Sequence, residues 1–209
     1  HTPVISAQAR YLSPADFIAA YLRHGNWVLG CSMLLRRAVV EESGAFELAE
    51  RLPWHLDAYK AFFAGAKHGA CFIPEPLAMW RRREESWGFQ LVMRQGLRAL
   101  DTVKDLEGCL RQPRCAGLFP EEFFRVLWRQ SVDMTIYEYC RRCPGDLRAL
   151  AAVGERLPSP GWLDRAYFGA LRRGWAGPLA TKAYLTWHKS WGQRWRILRG
   201  KLRSGERPS

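Results

Sequence analysis

"LPWHLDAYKAFFAGAKHGACFIPEP", residues 52–76, carries two different periodicities in direct succession. Pro53 marks a loop, and in "LDAYKAFFAGAKHG" the small and aromatic residues Ala58, Ala61, Phe62 and Gly65 fall on one helical face. "ACFI", residues 70–73, then reads as a strand that begins at once. Pro74 and Pro76 exclude helix for the residues just before them, so "PEPLAMWR" is expected to run on in extended form.

Upstream, "SPADFIAAYLRHG" predicts a short helix, with Ser13 as N-cap, Pro14 at the first helical position, Asp16 in the first turn and Gly25 after the last. "NWVLGCSMLL" reads as a mostly buried strand, and "RRAVVEESGAF" as a short helix closed by Gly44 in a left-handed cap. Downstream of about residue 84 the pattern is helical throughout. Leu97, Leu100, Val103 and Leu110 keep a helix-like spacing, Pro120 with Glu121 and Glu122 opens another helix, and "SPGWLDRAYFGALRRGW" repeats the Ser-Pro start at 159 and 160. The expected fold class is therefore α/β over residues 1–88, followed by a mainly α-helical region over 89–209.

With 209 residues, 48% of them hydrophobic and 13% aromatic, the chain can bury a sizeable core. The net charge of +12 is unevenly placed, since residues 1–89 carry 10 basic and 9 acidic side chains while 90–209 carry 22 and 11. No apolar run approaches the roughly 18 residues that cross a bilayer, and a soluble chain is expected. The start "HTPVISAQAR" has neither an initiator Met nor a signal-peptide core, and reads as a cut. Six cysteines at 31, 71, 109, 115, 140 and 143 lack the density of a secreted disulfide scaffold, so a reducing compartment is expected. Cys109, Cys115, Cys140 and Cys143 allow a four-thiolate zinc site in principle, but only "CRRC" has ligand-like spacing; ordinary buried or free thiols are the plainer reading.

The order "GCSMLLRR…EESGAF…LPWHLDAYKAFFAGAKHG…CFIPEPLAMWRRREES" resembles the second half of a family-two glycosyltransferase of the GT-A fold, over about residues 11–88. That resemblance implies transfer of a sugar from a nucleotide-sugar donor to a glycan, lipid-linked or protein acceptor. It implies a small-residue segment, Gly30, Cys31 and Ser32, near the donor sugar, a Gly-x-Phe turn at Gly44, Ala45 and Phe46, and Asp57 as the catalytic carboxylate. Trp80, Arg81 and Ser86 match the family's closing motif, aromatic-Arg-x-His-x-x-Ser. An inverting transfer needs a base for the acceptor proton and a cation for the leaving diphosphate. Asp57 is expected to be the first, while Arg81 offers a planar fork suited to phosphate. Within "WRRREES", the other arginines are expected to be solvated or paired with Glu84 and Glu85.

Two positions depart from the family pattern. Leu56 stands where an acidic residue normally precedes the catalytic Asp, and Arg83 stands in place of the motif's His. Arg83 supplies charge toward a diphosphate but has no lone pair for a metal. His55 and His68 lie nearby in sequence and read as structural side chains. No Asp-x-Asp occurs among the seven aspartates, so a divalent Mg or Mn is expected only through a donor-binding half absent from this sequence, and the isolated chain is expected to transfer little or no sugar.

The last segment, "TKAYLTWHKSWGQRWRILRGKLRSGERPS", mixes Trp187, Trp191 and Trp195 with eight basic residues and one acidic one. It reads either as an anionic-membrane contact with its tryptophans at headgroup level or as a final helix packing them inward. The resemblance implies a bacterial envelope role at the cytoplasmic face, with peripheral placement. Two other classes stay open: a non-catalytic interaction protein of transferase-like shape, which Leu56 and Arg83 fit, and a basic helical module for nucleic acid, the less favoured partner because no recognised reader motif appears.

Overall fold

The computed structural model describes residues 4–78, 98–142, 147–177 and 179–187. The described chain is mainly helical. Its helices are α1 (Pro14–His24), α2 (Arg37–Glu42), α3 (Leu56–His68), α4 (Arg98–Leu110), α5 (Glu121–Arg142), α6 (Leu147–Glu155) and α7 (Trp162–Arg172). Residues 179–187 are helical as well. Strands β1 (Arg10–Leu12) and β2 (Ala70–Phe72) pair antiparallel, with Tyr11 opposite Cys71. Among the described residues these two form the sheet. The chain divides into two compact units, His1–Ser131 and Val132–Ser209.

In the first unit α1 starts as its sequence dictates. Ser13 Oγ accepts from Asp16 N at 3.2 Å, and Asp16 Oδ2 accepts from Ser13 N at 3.3 Å, a reciprocal box that satisfies two otherwise orphaned donors. The buried face of α1 meets α3 where Phe17 lies against Gly65. Tyr21 from α1 stacks on Phe123 at 4.3 Å, and Phe62 meets both rings edge-on at 5.1 Å. This aromatic cluster ties α1, α3 and the start of α5 together, and it explains why residues beyond 88 belong to the first unit. Leu100, Val103, Leu106 and Leu110 of α4 are all buried, in the spacing of a helical stripe.

The turn after α2 is held by Arg114, which donates to the Ser43 carbonyl at 3.0 Å and to Glu47 Oε2 at 3.0 Å. Tyr59 Oη donates to the same carbonyl at 2.8 Å. Gly44 sits at φ 64°, a backbone conformation that favours glycine, and the Arg114 guanidinium lies where a side chain would be. The left-handed cap expected at Gly44 is present.

In the second unit α6 packs on α7 with Gly154 against the ring of Phe168. Tyr184, in the helical segment 179–187, stacks on Tyr167 at 4.0 Å and donates to Asp164 Oδ1 at 2.6 Å. Asp164 also accepts from Gly161 N at 2.7 Å, so α7 is capped from Gly161 and not from the Ser-Pro pair at 159 and 160.

The strand expected over residues 26–35 does not form. Leu29 and Met33 have extended backbone, but Gly30–Ser32 is a turn of 3-10 helix, and Leu34 is fully exposed. A buried strand needs a neighbouring ladder, and among the described residues no strand pairs with this segment. The α/β layer expected over 1–88 is thus represented by one short antiparallel pair in a helical setting. No helix among the described residues is long and apolar enough to cross a membrane.

Candidate functional site

Asp57 occupies the first turn of α3, where a carboxylate is favoured by the helix dipole. Its side chain is 63% exposed, and Oδ1 pairs with Lys60 Nζ at 3.0 Å, three residues along the same helix. Lys60 is mostly covered, at 23% exposure, so its ammonium holds the carboxylate from the protein side and leaves Asp57 open to solvent. Oδ2 lies against the α-carbon of Gly30, where a methyl group would overlap it. The 3-10 turn Gly30–Ser32 therefore rests beside Asp57. Ser32 Oγ donates to the Leu29 carbonyl at 3.0 Å, closing that turn on itself. Cys31 and Ser32 are both exposed, and Cys31 is a free thiol.

Four of the expected site residues, Gly30, Cys31, Ser32 and Asp57, are thus brought to one place on the first unit. The other four, Trp80, Arg81, Arg83 and Ser86, lie outside the described residues, as do Glu84 and Glu85. Of the Gly-x-Phe turn, Gly44 and Ala45 are buried while Phe46 is 70% exposed. Lys60 is a site residue that the sequence reading does not single out, although its spacing of three from Asp57 is the ordinary signature of a helical ion pair.

The two nearby histidines have separate roles. His55 precedes α3, places Nε2 3.0 Å from Thr102 Oγ1, and has its pKa pushed down to about 4 by burial, with Asp105 opposing weakly. It is a neutral structural side chain at ordinary pH. His68 closes α3 and reaches Glu42 at 2.7 Å, which Lys67 also meets at 2.7 Å. Hydrogen bonds from Lys67 and His68 hold the Glu42 carboxyl below its usual range.

Cys109 and Cys115 are buried, and burial raises both thiols above their ordinary range. Cys115 Sγ lies 3.8 Å from Tyr59 Oη, whose own ionisation is pushed far up, first by burial and then by Cys115. Cys143 and the side chain of Cys140 lie outside the described residues. No group of three or more His, Cys, Asp or Glu poised to hold a metal occurs among the described residues. Comparison with protein-family models, with curated proteins and with solved structures finds no match to this chain.

Proposed function

We propose that this chain is the acceptor-side part of a sugar transferase, with Asp57 as the base. The observation that carries this proposal is the meeting of Asp57 with Gly30. A solvent-open carboxylate, anchored on one oxygen by Lys60, has its other oxygen against a turn of small residues from a distant part of the chain. Small residues let a bulky ligand approach the carboxylate closely, and the resemblance assigns both segments to the sugar-transfer site.

In the reaction the acceptor hydroxyl oxygen forms a bond to the anomeric carbon as the bond from that carbon to the diphosphate breaks. Asp57 takes the hydroxyl proton, and the nucleoside diphosphate leaves with the electron pair. Its charge is met by Arg81, with Arg83 two positions on, as the resemblance implies. A divalent cation, if the family's usual one is used, would bind through residues other than these. The glycan, lipid-linked or protein nature of the acceptor and the envelope role come with the resemblance.

The test is Asp57→Asn in the full-length protein encoded by the gene. Asparagine keeps the size of the side chain and removes its basicity. We expect kcat for transfer from a nucleotide sugar to fall at least about 100-fold, with KM for the donor little changed. Transfer retained within a factor of about three would remove Asp57 from the reaction. A general base is needed for turnover and not for binding, so a protein whose function survives Asp57→Asn would favour the interaction-protein alternative.

A further inference from the structure

The outward face of α7 has no part in the proposed transfer, and its chemistry is of another kind. Asp164, Tyr167, Phe168 and Leu171 point into the second unit. Trp162, Arg165, Ala166, Arg172 and Arg173 repeat at helical spacing on the opposite side and are all exposed. Trp162 is 74% exposed, and Trp175, just beyond the helix end, is 77% exposed. Two large indoles therefore stand in water at the two ends of a helix roughly 16 Å long. Between them the surface is low, because Ala166 is small and a side chain at Gly169 would meet only open space.

The charge on this face has one sign. Asp164 is the one acidic residue in 162–187, and it is buried, with its oxygens bonded to Gly161 N and Tyr184 Oη. Arg165 has no carboxylate partner among the described residues, and the Arg173 guanidinium lies 5.3 Å over the Trp175 ring. Arg172 reaches Glu155 of α6 at 3.5 Å, a pair more than half exposed on both sides and so weakly held. Residues 132–209 carry 15 basic and 6 acidic side chains, so the field around this helix attracts anions.

We infer that the outward face of α7 docks the second unit on an anionic lipid bilayer, with Trp162 and Trp175 at headgroup depth and Arg165, Arg172 and Arg173 on lipid phosphates. Indoles have an apolar body and a polar N–H, which suits the boundary between acyl chains and headgroups. Arginines on the same face gain from the negative surface potential of such a membrane. A bilayer is flat and takes a straight helix lying along it, and the low ground at Ala166 and Gly169 lets backbone and headgroups approach. A nucleic-acid strand would need open ring faces for its bases, yet Arg173 already lies over one face of Trp175. The inference is independent of the transferase proposal.

The test is co-sedimentation of the full chain with vesicles of phosphatidylcholine and phosphatidylserine, against vesicles of phosphatidylcholine alone. Binding to the mixed vesicles, weakened by added salt, is expected. R165Q with R173Q should lower the partition coefficient about 25-fold, and W162A with W175A at least about tenfold. All four side chains are exposed, so thermal unfolding should be unchanged and confirm that the variants fold. Equal binding by wild type and both double variants would place any membrane contact elsewhere and overturn the inference. So would failure to bind mixed vesicles, or capture of a single-stranded oligonucleotide in their place with the same residue dependence.

Discussion

Gly65→Ala sets two known effects against each other inside one helix. Gly65 lies within α3 at negative φ, so alanine there should gain about 1 kcal/mol of helix propensity. The added methyl, however, would overlap three atoms of the Phe17 ring. That ring cannot give way easily, because Phe17 is 1% exposed and packs at 5.4 Å on Trp27. Overpacking of this kind costs about 1–3 kcal/mol, which leaves a net loss of up to about 2 kcal/mol and lowers Tm by up to roughly 8 °C. The assay is thermal unfolding of four chains: wild type, G65A, F17L and the double variant. Leucine at 17 removes the ring that the methyl strikes, so G65A in that background should be neutral or stabilising. A coupling of about 1–3 kcal/mol between the two positions is expected. If G65A raises Tm in the wild-type background, or costs the same in both, α1 and α3 do not meet as described.

In the second unit Gly154→Ala should likewise strike the ring of Phe168 and destabilise by up to about 2 kcal/mol, read by chemical denaturation. For His55, the folded pKa near 4 lies below the unfolded value near 6.5, so the unfolded chain takes up the proton first as pH falls. Stability should be full above pH 6.5, fall by about 3 kcal/mol between 6.5 and 4, and level off for this group below. His55→Gln should flatten the part of that slope above pH 5, where carboxylates contribute least; an unchanged slope would refute the assignment. Thiol labelling followed by peptide mass spectrometry should find Cys31 and Cys71 modified quickly and Cys109 and Cys115 only on unfolding, since the latter pair is buried with raised pKa values. Gly30→Ala should displace the Asp57 carboxylate and reduce sugar transfer at least about tenfold with little change in Tm, because both groups are at the surface.

Elements that announce themselves locally are legible in the amino-acid sequence. The Ser13–Asp16 box, Gly44 in the left-handed cap and the helical spacing of Leu100, Val103 and Leu110 are signals carried within a few residues. The segment 26–35 departs from its expected strand for the opposite reason. "NWVLGCSMLL" has strand composition, but a strand exists only where another strand accepts its ladder, and composition does not report the partner. The start of α7 lies two positions beyond the expected one because Ser159-Pro160 is a common opening, whereas the hydrogen bond that decides the matter is Gly161 N to Asp164. The pattern of the sequence changes near residue 88, whereas the contact of Phe123 with Tyr21 and Phe62 joins residues on both sides of that change.

The candidate site divides along the same line. Asp57 with Lys60 is a local pair, three residues apart on one helix, and its spacing alone is enough to suggest it. Asp57 with Gly30 joins an exposed turn to a helix start across 27 positions, and no periodicity encodes it. The inverse holds on α7, where exposure and not proximity is the informative quantity. A tryptophan and an arginine at a spacing of three share a helical face without saying whether that face is buried, and Tyr167 and Phe168 supply the aromatics of the core face. The informative feature is that Trp162 and Trp175 stand in water while the smaller Leu171 and Ala176 are buried.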